Sequence, residues 1–139
     1  VTGRMPEPAE RRLREMAPAH VVFTGFLPED DYVGQLRACD VVVDLTSRDA
    51  CLVCGAYEAT AAGKPMVLSD SLANRSYFDR GAVYTAASPA AIAAAIRQAI
   101  DSRERLAADV RCLETRLRLD FRRRVRHLSR YLRQLANER

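Results

Sequence analysis

The sequence predicts an α/β fold: a parallel sheet covered by helices on both faces. Three observations carry this. Short apolar runs alternate with helix-period segments along the body of the chain. The runs are apolar throughout, which suits strands buried on both faces. The breaks between them, at Gly25, Gly63-Lys64-Pro65, Gly81 and Ser88-Pro89, fall where such a chain needs stops and starts. With 139 residues, 48% hydrophobic and 29% charged, the chain can bury a real core. No apolar run approaches a membrane span and the start lacks a signal-peptide pattern, so the expected compartment is the cytoplasm. Val1-Thr2-Gly3 reads as the tail of a strand entering a turn, so the chain is expected to be part of something longer.

In order, residues 7–16 form a charged helix with Leu13 and Met16 as its apolar face. Residues 21–24 read as a strand closed by Gly25. Pro28 and the acids Glu29, Asp30 and Asp31 open a helix that runs to about Cys39. Residues 41–45 are a β-branched strand ending at Asp44-Leu45, followed by loop and cap residues Thr46, Ser47 and Asp49. A helix is expected to open near Cys51 or Leu52 and to run through Glu58 to Ala62, where Gly63 supplies a left-handed stop and Pro65 prevents continuation. Met66-Val67-Leu68 is the next strand. A polar loop, a short helix over residues 72–78 and a strand over 82–84 follow. Ser88-Pro89 caps an Ala-rich helix to about Ile100, with Ile92, Ile96 and Ile100 on one stripe.

Residues 1–101 therefore read as the α/β body and 102–139 as a basic amphipathic helix, broken at most once. Residues 101–139 carry twelve arginines and six acids, whereas the remainder carries ten basic and twelve acidic residues. The apolar residues Leu106, Val110, Leu113, Leu117, Phe121, Val125, Leu128, Leu132 and Leu135 recur at steps of three and four. This stripe suits packing on the body or on another domain, a membrane surface, or a coiled-coil partner. Nucleic acid is not expected, because no aromatic platform or reading motif accompanies the charge.

Cys51-x-x-Cys54 has the spacing of half a zinc site or of a redox pair. Cys39 and Cys112 lie in other segments, and neither His20 nor His127 is near in sequence. The pair is expected to be buried as small hydrophobes at a helix start, with no metal and no disulfide.

The run Ser47-Arg48, loop, Tyr57-Glu58-Ala59, Gly63-Lys64-Pro65 and strand resembles the donor-binding C-terminal half of GT-B glycosyltransferases. It is most similar to the retaining, family 4-like group 1 enzymes with a Glu-x7-Glu motif. The likeness includes residues 21–26, 36–43 and 81–84, so it covers roughly residues 1–100. It implies a Rossmann-like domain, half of a GT-B fold, whose partner N-terminal domain holds the acceptor. It implies a nucleoside diphosphate sugar as donor, hexosyl transfer and no cofactor. The second motif glutamate matches Glu58, implied to bind the ribose. The first falls at Ala50, where Asp49 is the neighbouring stand-in, a candidate contact for donor-sugar hydroxyls or else a helix N-cap.

Diphosphate binding is implied for the backbone amides of Cys51, Leu52, Val53, Cys54 and Gly55, since a helix N-terminus offers free N–H groups and a positive field. The base is implied to sit at Gly25, Phe26 and Leu27. Two readings stay open: a glycosyltransferase domain that is inactive alone, and a non-catalytic sugar-nucleotide- or partner-binding subunit. The implied location is cytoplasmic, with peripheral membrane association through the basic helix as an alternative.

Overall fold

The computed structural model describes every residue except Arg4, Glu138 and Arg139; the last two end the predicted tail helix and lie outside the described residues. The elements are α1 (Glu7–Met16), α2 (Glu29–Ala38), β1 (Val42–Asp44), α3 (Cys54–Ala61), β2 (Met66–Ser69), α4 (Leu72–Tyr77), β3 (Ala82–Thr85), α5 (Pro89–Asp101) and α6 (Arg103–Asn137). They fall into two compact units, Val1–Ala38 and the remainder of the chain.

The second unit carries the predicted sheet. Its three strands are parallel in the order β1-β2-β3, with Val42 beside Met66 and Met66 beside Ala82. The central strand β2 is buried on both faces, as its uniform apolarity requires. Met66 and Leu68 face Ala56 and Ala59 of α3, Phe78, and Val110 and Leu113 of α6. Val67 faces the other way, onto Val83, Ala95 and Ala99 of α5, and Leu106. Helices therefore cover both sides of the sheet.

Three local devices hold this sandwich. First, α3 ends in a left-handed glycine cap: Gly63 has φ 70°, its N–H donates to Thr60 O (3.1 Å), and Lys64 N–H donates to Ala59 O (2.8 Å). Second, Ser71 and Ser88 cap α4 and α5 with side-chain oxygens. Third, Gly81 has φ 76°, and a β-carbon there would strike Val110 of α6. The buried face of α5 differs from the isoleucine stripe. It runs through Ala95 and Ala99, and Ile100 is exposed. Small residues let this helix lie close to the sheet, so the isoleucines border the contact instead of filling it.

In the first unit residues 21–24 do not form a strand. Thr24 N–H donates to Val1 O (3.0 Å) and Gly3 N–H to Gly25 O (2.9 Å), closing a single parallel bridge between Thr2 and Gly25. Gly3 turns away at φ 105° directly after the bridge, so no ladder continues beyond it. The predicted apolar face of α1 also fails: Leu13 is 45% and Met16 72% exposed. Arg14 ties this helix down instead, with its guanidinium 5.0 Å from the Phe23 ring and donating to Phe23 O at 3.0 Å.

The tail is one unbroken helix of 35 residues. Its first turns belong to the core, through Leu106, Val110 and Leu113. Among the described residues no helix is long and apolar enough to cross a membrane.

Candidate functional site at the carboxyl ends of the strands

Three parallel strands present their carboxyl ends on one edge of the sheet, the edge where open α/β sheets bind ligands. Short hydrogen bonds join the strand ends there. Thr46 N–H donates to Ser69 Oγ at 2.7 Å, Asn74 Nδ2 to Ser69 O at 2.9 Å, and Asp70 N–H to Thr85 O at 3.0 Å. Arg75 donates to both oxygens of Asp70, at 2.5 and 2.9 Å, and holds that carboxyl below the usual range. The same guanidinium lies 4.4 Å from the centre of the Tyr84 ring. This arginine is thus already engaged on two sides.

The side chain that dominates the edge is Asp44, the last residue of β1. Its half-buried carboxylate lies against the start of α3, where it interacts with the N–H groups of Gly55 and Ala56. A β-carbon on Gly55 would sit 2.5 Å from Asp44 Oδ2, so glycine is what allows this approach. Burial pushes the Asp44 carboxyl above the ordinary carboxylate range. The Glu58 charge pushes the same way, and the two amides oppose. Asp44 was missed by sequence reasoning; its signal was an acid closing an apolar strand at the ligand-binding edge.

Glu58 is exposed on α3, close enough for its charge to act on Asp44. Helical period explains its direction. Ala56 and Ala59 face the sheet, and Tyr57 packs edge-on against Phe78 (centroids 5.1 Å) and near Tyr77 (5.2 Å). Those contacts fix the roll of α3 and turn Glu58 away from the core.

The amides from Cys51 to Gly55, implied by the resemblance to bind the diphosphate, are arranged differently from expectation. Helix α3 opens at Cys54, later than the expected Cys51 or Leu52, with Val53 at the N-cap position making no side-chain cap. Cys51, Leu52 and Val53 are half-buried loop residues, and Leu52 and Val53 pack on the core. Apolar anchoring of these side chains holds the loop against the sheet and delays the helix. Of the five amides, only those of Cys54 and Gly55 belong to α3, and Gly55 is directed at Asp44. Cys54 is exposed rather than buried. Asp49 is exposed in a turn and is not the cap of this helix.

Gly25, Phe26 and Leu27 belong to the first unit. With Thr2, Pro28 and Tyr32 they line an open, mainly apolar groove of about 640 Å³, and the Phe26 side chain is 79% exposed. Among the described residues no three His, Cys, Asp or Glu side chains gather into a possible metal site.

The sequence model of the family described as Glycosyl transferases group 1 matches residues 4–111. The match takes in both units and ends in the buried part of α6. No curated protein matches the chain.

Proposed function

The chain belongs to the group 1 glycosyl transferases, and on that premise we propose that it binds a nucleoside diphosphate sugar and serves retaining hexosyl transfer to an acceptor held by a further, N-terminal domain. The observation that carries this reading is the juxtaposition of Asp44 and outward-facing Glu58 where β1 meets α3. A carboxylate can accept hydrogen bonds from both ribose hydroxyls, and Glu58 is the one presented to solvent beside the strand ends. Backbone amides of Cys51, Leu52, Val53 and Cys54 take the diphosphate, with Gly55 joining them when Asp44 releases its amide. In this reading they stabilise the charge that develops on the leaving diphosphate. Asp49 is proposed to contact the donor sugar. The groove along Gly25, Phe26 and Leu27 is proposed for the base on its own chemistry, since an exposed phenyl ring, apolar walls and backbone groups suit a heterocycle.

Asp44 adds a condition. An ionised carboxylate against the Gly55 and Ala56 amides opposes a phosphate at the same place. Its raised pKa makes protonation, and so accommodation of the diphosphate, less costly than at an ordinary aspartate.

The test is calorimetric titration of the chain with uridine, guanosine and adenosine diphosphates. Glu58→Gln keeps shape and removes charge. It is expected to weaken the preferred nucleotide roughly tenfold to a hundredfold, the equivalent of losing one charge-assisted hydrogen bond, with the circular dichroism unchanged. Unaltered affinity would remove Glu58 from the site. Ala50, standing where the family motif carries its first glutamate, favours a second reading, a non-catalytic sugar-nucleotide- or partner-binding subunit. Sugar transfer assayed with the N-terminal domain supplied separates the two. The chain alone is expected to bind weakly and not to turn over, because acceptor positioning is worth roughly 7–11 kcal/mol in favourable cases and one wall of a cleft does not supply it.

A further inference from the structure

The rim proposed to take a diphosphate is itself negative. Residues 44–58 carry three acids, Asp44, Asp49 and Glu58, and one base, Arg48, in a chain whose net charge is +4. Among the described residues no salt bridge reaches Asp44. Of the elements packed against β1, α3 brings the ionisable side chains Cys54, Tyr57 and Glu58, and β2 brings none.

Magnitudes decide which sign a ligand meets there. The N-terminus of a helix acts as about half a positive charge. Ionised Asp44 sets a full negative charge on the Gly55 and Ala56 amides of that helix end, and the Glu58 charge acts in the same place. A β-carbon on Gly55 would stand 2.5 Å from Asp44 Oδ2, so the carboxylate is seated on the helix end. The Cys54 amide is one residue away, about 1.5 Å along the axis. A phosphate on that amide therefore lies beside Asp44, and repulsion by the carboxylate outweighs attraction by the helix.

The transfer proposed above changes the charge that this rim meets. The sugar carbon passes from the terminal phosphate oxygen to an acceptor oxygen, and the acceptor's proton goes to the solvent. The phosphate oxygen keeps the electron pair and gains a charge. A terminal phosphate esterified to a sugar carries one charge, whereas a free one carries about 1.5 to 2 at neutral pH. We propose that Asp44 is a specificity-determining residue, which makes the site favour the sugar ester of a nucleoside diphosphate over the free diphosphate. This rests on the nucleotide reading given above. The donor is held in preference to the product, and the charge created by transfer helps the product to leave. A carboxylate that served only to cap α3 would not distinguish the two ligands by their charge.

The experiment compares uridine, guanosine and adenosine diphosphates with their terminal methyl esters, which remove the charge without adding sugar contacts. Calorimetric titration of the whole chain is run at about pH 8, where the free terminal phosphate is fully ionised, and without divalent cations. The methyl ester of the preferred nucleotide is expected to bind roughly fivefold more tightly than the free diphosphate, the effect of one further charge about 4 Å away in water. In Asp44→Asn and in Asp44→Ser the preference is expected to shrink to about twofold or less, the remainder coming from Glu58. Partial unfolding weakens both ligands alike and leaves the preference intact. Groups outside this chain that touch the ligand act on parent and variants equally, so the change in preference reads Asp44 itself. Equal binding of the two ligands by the parent, tighter binding of the free diphosphate, or an unchanged preference in both variants overturns the proposal and leaves the nucleotide reading standing. A preference that shrinks in only one variant reports shape rather than charge and overturns it too. No binding of any ester or diphosphate overturns the nucleotide reading, and the proposal with it.

Discussion

Residues 21–24 and residues 66–69 look alike as sequence. One is Val-Val-Phe-Thr and the other Met-Val-Leu-Ser, and both are short, apolar and followed by a turn. In the structure the second is the centre of a sheet, with Met66, Val67 and Leu68 fully buried, and the first closes a single bridge. The difference extends to the whole of each unit. Among the described residues, every fully buried apolar side chain belongs to the second unit, while α1 and α2 bury none. Local composition is therefore not what separates them. Strand β2 has a parallel neighbour on each side and a helix layer on each face, whereas beside residues 21–24 the pairing stops at one bridge, where Gly3 turns away. Burial, and the order that follows from it, is a property of the completed layer.

The largest effect that tests this contrast is a cavity at Phe78. This ring is fully buried, meets Tyr57 and Tyr77 edge-on, and its carbonyl accepts the Tyr84 hydroxyl at 2.5 Å. Phe78→Ala is expected to cost about 3–5 kcal/mol by urea unfolding. Leu13→Ala in the first unit is expected to stay within about 0.5 kcal/mol, since that side chain is already exposed. Similar costs for the two would mean that the first unit is as well packed as the second, and the contrast would fail.

A somewhat smaller effect tests how firmly α6 belongs to the sandwich. Gly81→Ala places a side chain at φ 76° and against Val110. The expected cost is about 2–3 kcal/mol, with hydrogen exchange accelerated in β3 and in α6 near Val110. A cost well below 1 kcal/mol would show that the start of α6 moves freely, and that the helix is an attachment to the unit rather than a part of its core.

The same physics explains what could be read from the chain beforehand. The α/β class was legible because uniform apolar strands and glycine-proline punctuation report on local structure. The stop at Gly63 was legible for the same reason. The start of α3 was not. Its cysteine and valine residues are apolar enough to extend a helical pattern backwards, but Leu52 and Val53 are taken up by the core and hold the preceding loop. The burial of α5 was misread because isoleucine outranks alanine on any hydrophobic scale, whereas close approach to a sheet favours alanine. At the edge of the sheet, Glu58 was named as a candidate through a motif. Asp44 was hidden because its importance comes from meeting Gly55, eleven positions later in the chain.

The smallest expected effect is the most informative about that edge, because it asks whether the order of the second unit extends to the rim proposed to bind the nucleotide. Burial is the main influence on Asp44 and raises its folded pKa; Glu58 adds to the rise and the Gly55 and Ala56 amides reduce it. A raised acid pKa means that the folded state holds the proton more tightly than the unfolded chain. Ionised Asp44 is then a cost above its folded pKa, and the cost disappears as pH falls through that value towards the ordinary carboxylate range. Asp44→Asn keeps an oxygen for the Gly55 N–H and removes the charge. It is therefore expected to raise stability near neutral pH by on the order of 0.5 kcal/mol or less, given partial exposure and solvent screening. It should also flatten the pH dependence of unfolding between the ordinary carboxylate range and neutrality. Nucleoside diphosphate affinity should rise in the same variant, because a negative charge has left the start of α3 while Glu58 remains. Thermal scans at several pH values, paired with titrations, read both quantities. A variant that is less stable at neutral pH and binds no better would show that the amide contacts outweigh burial. Asp44 would then be a helix cap, and the ordered interior of the second unit would stop short of the proposed binding edge.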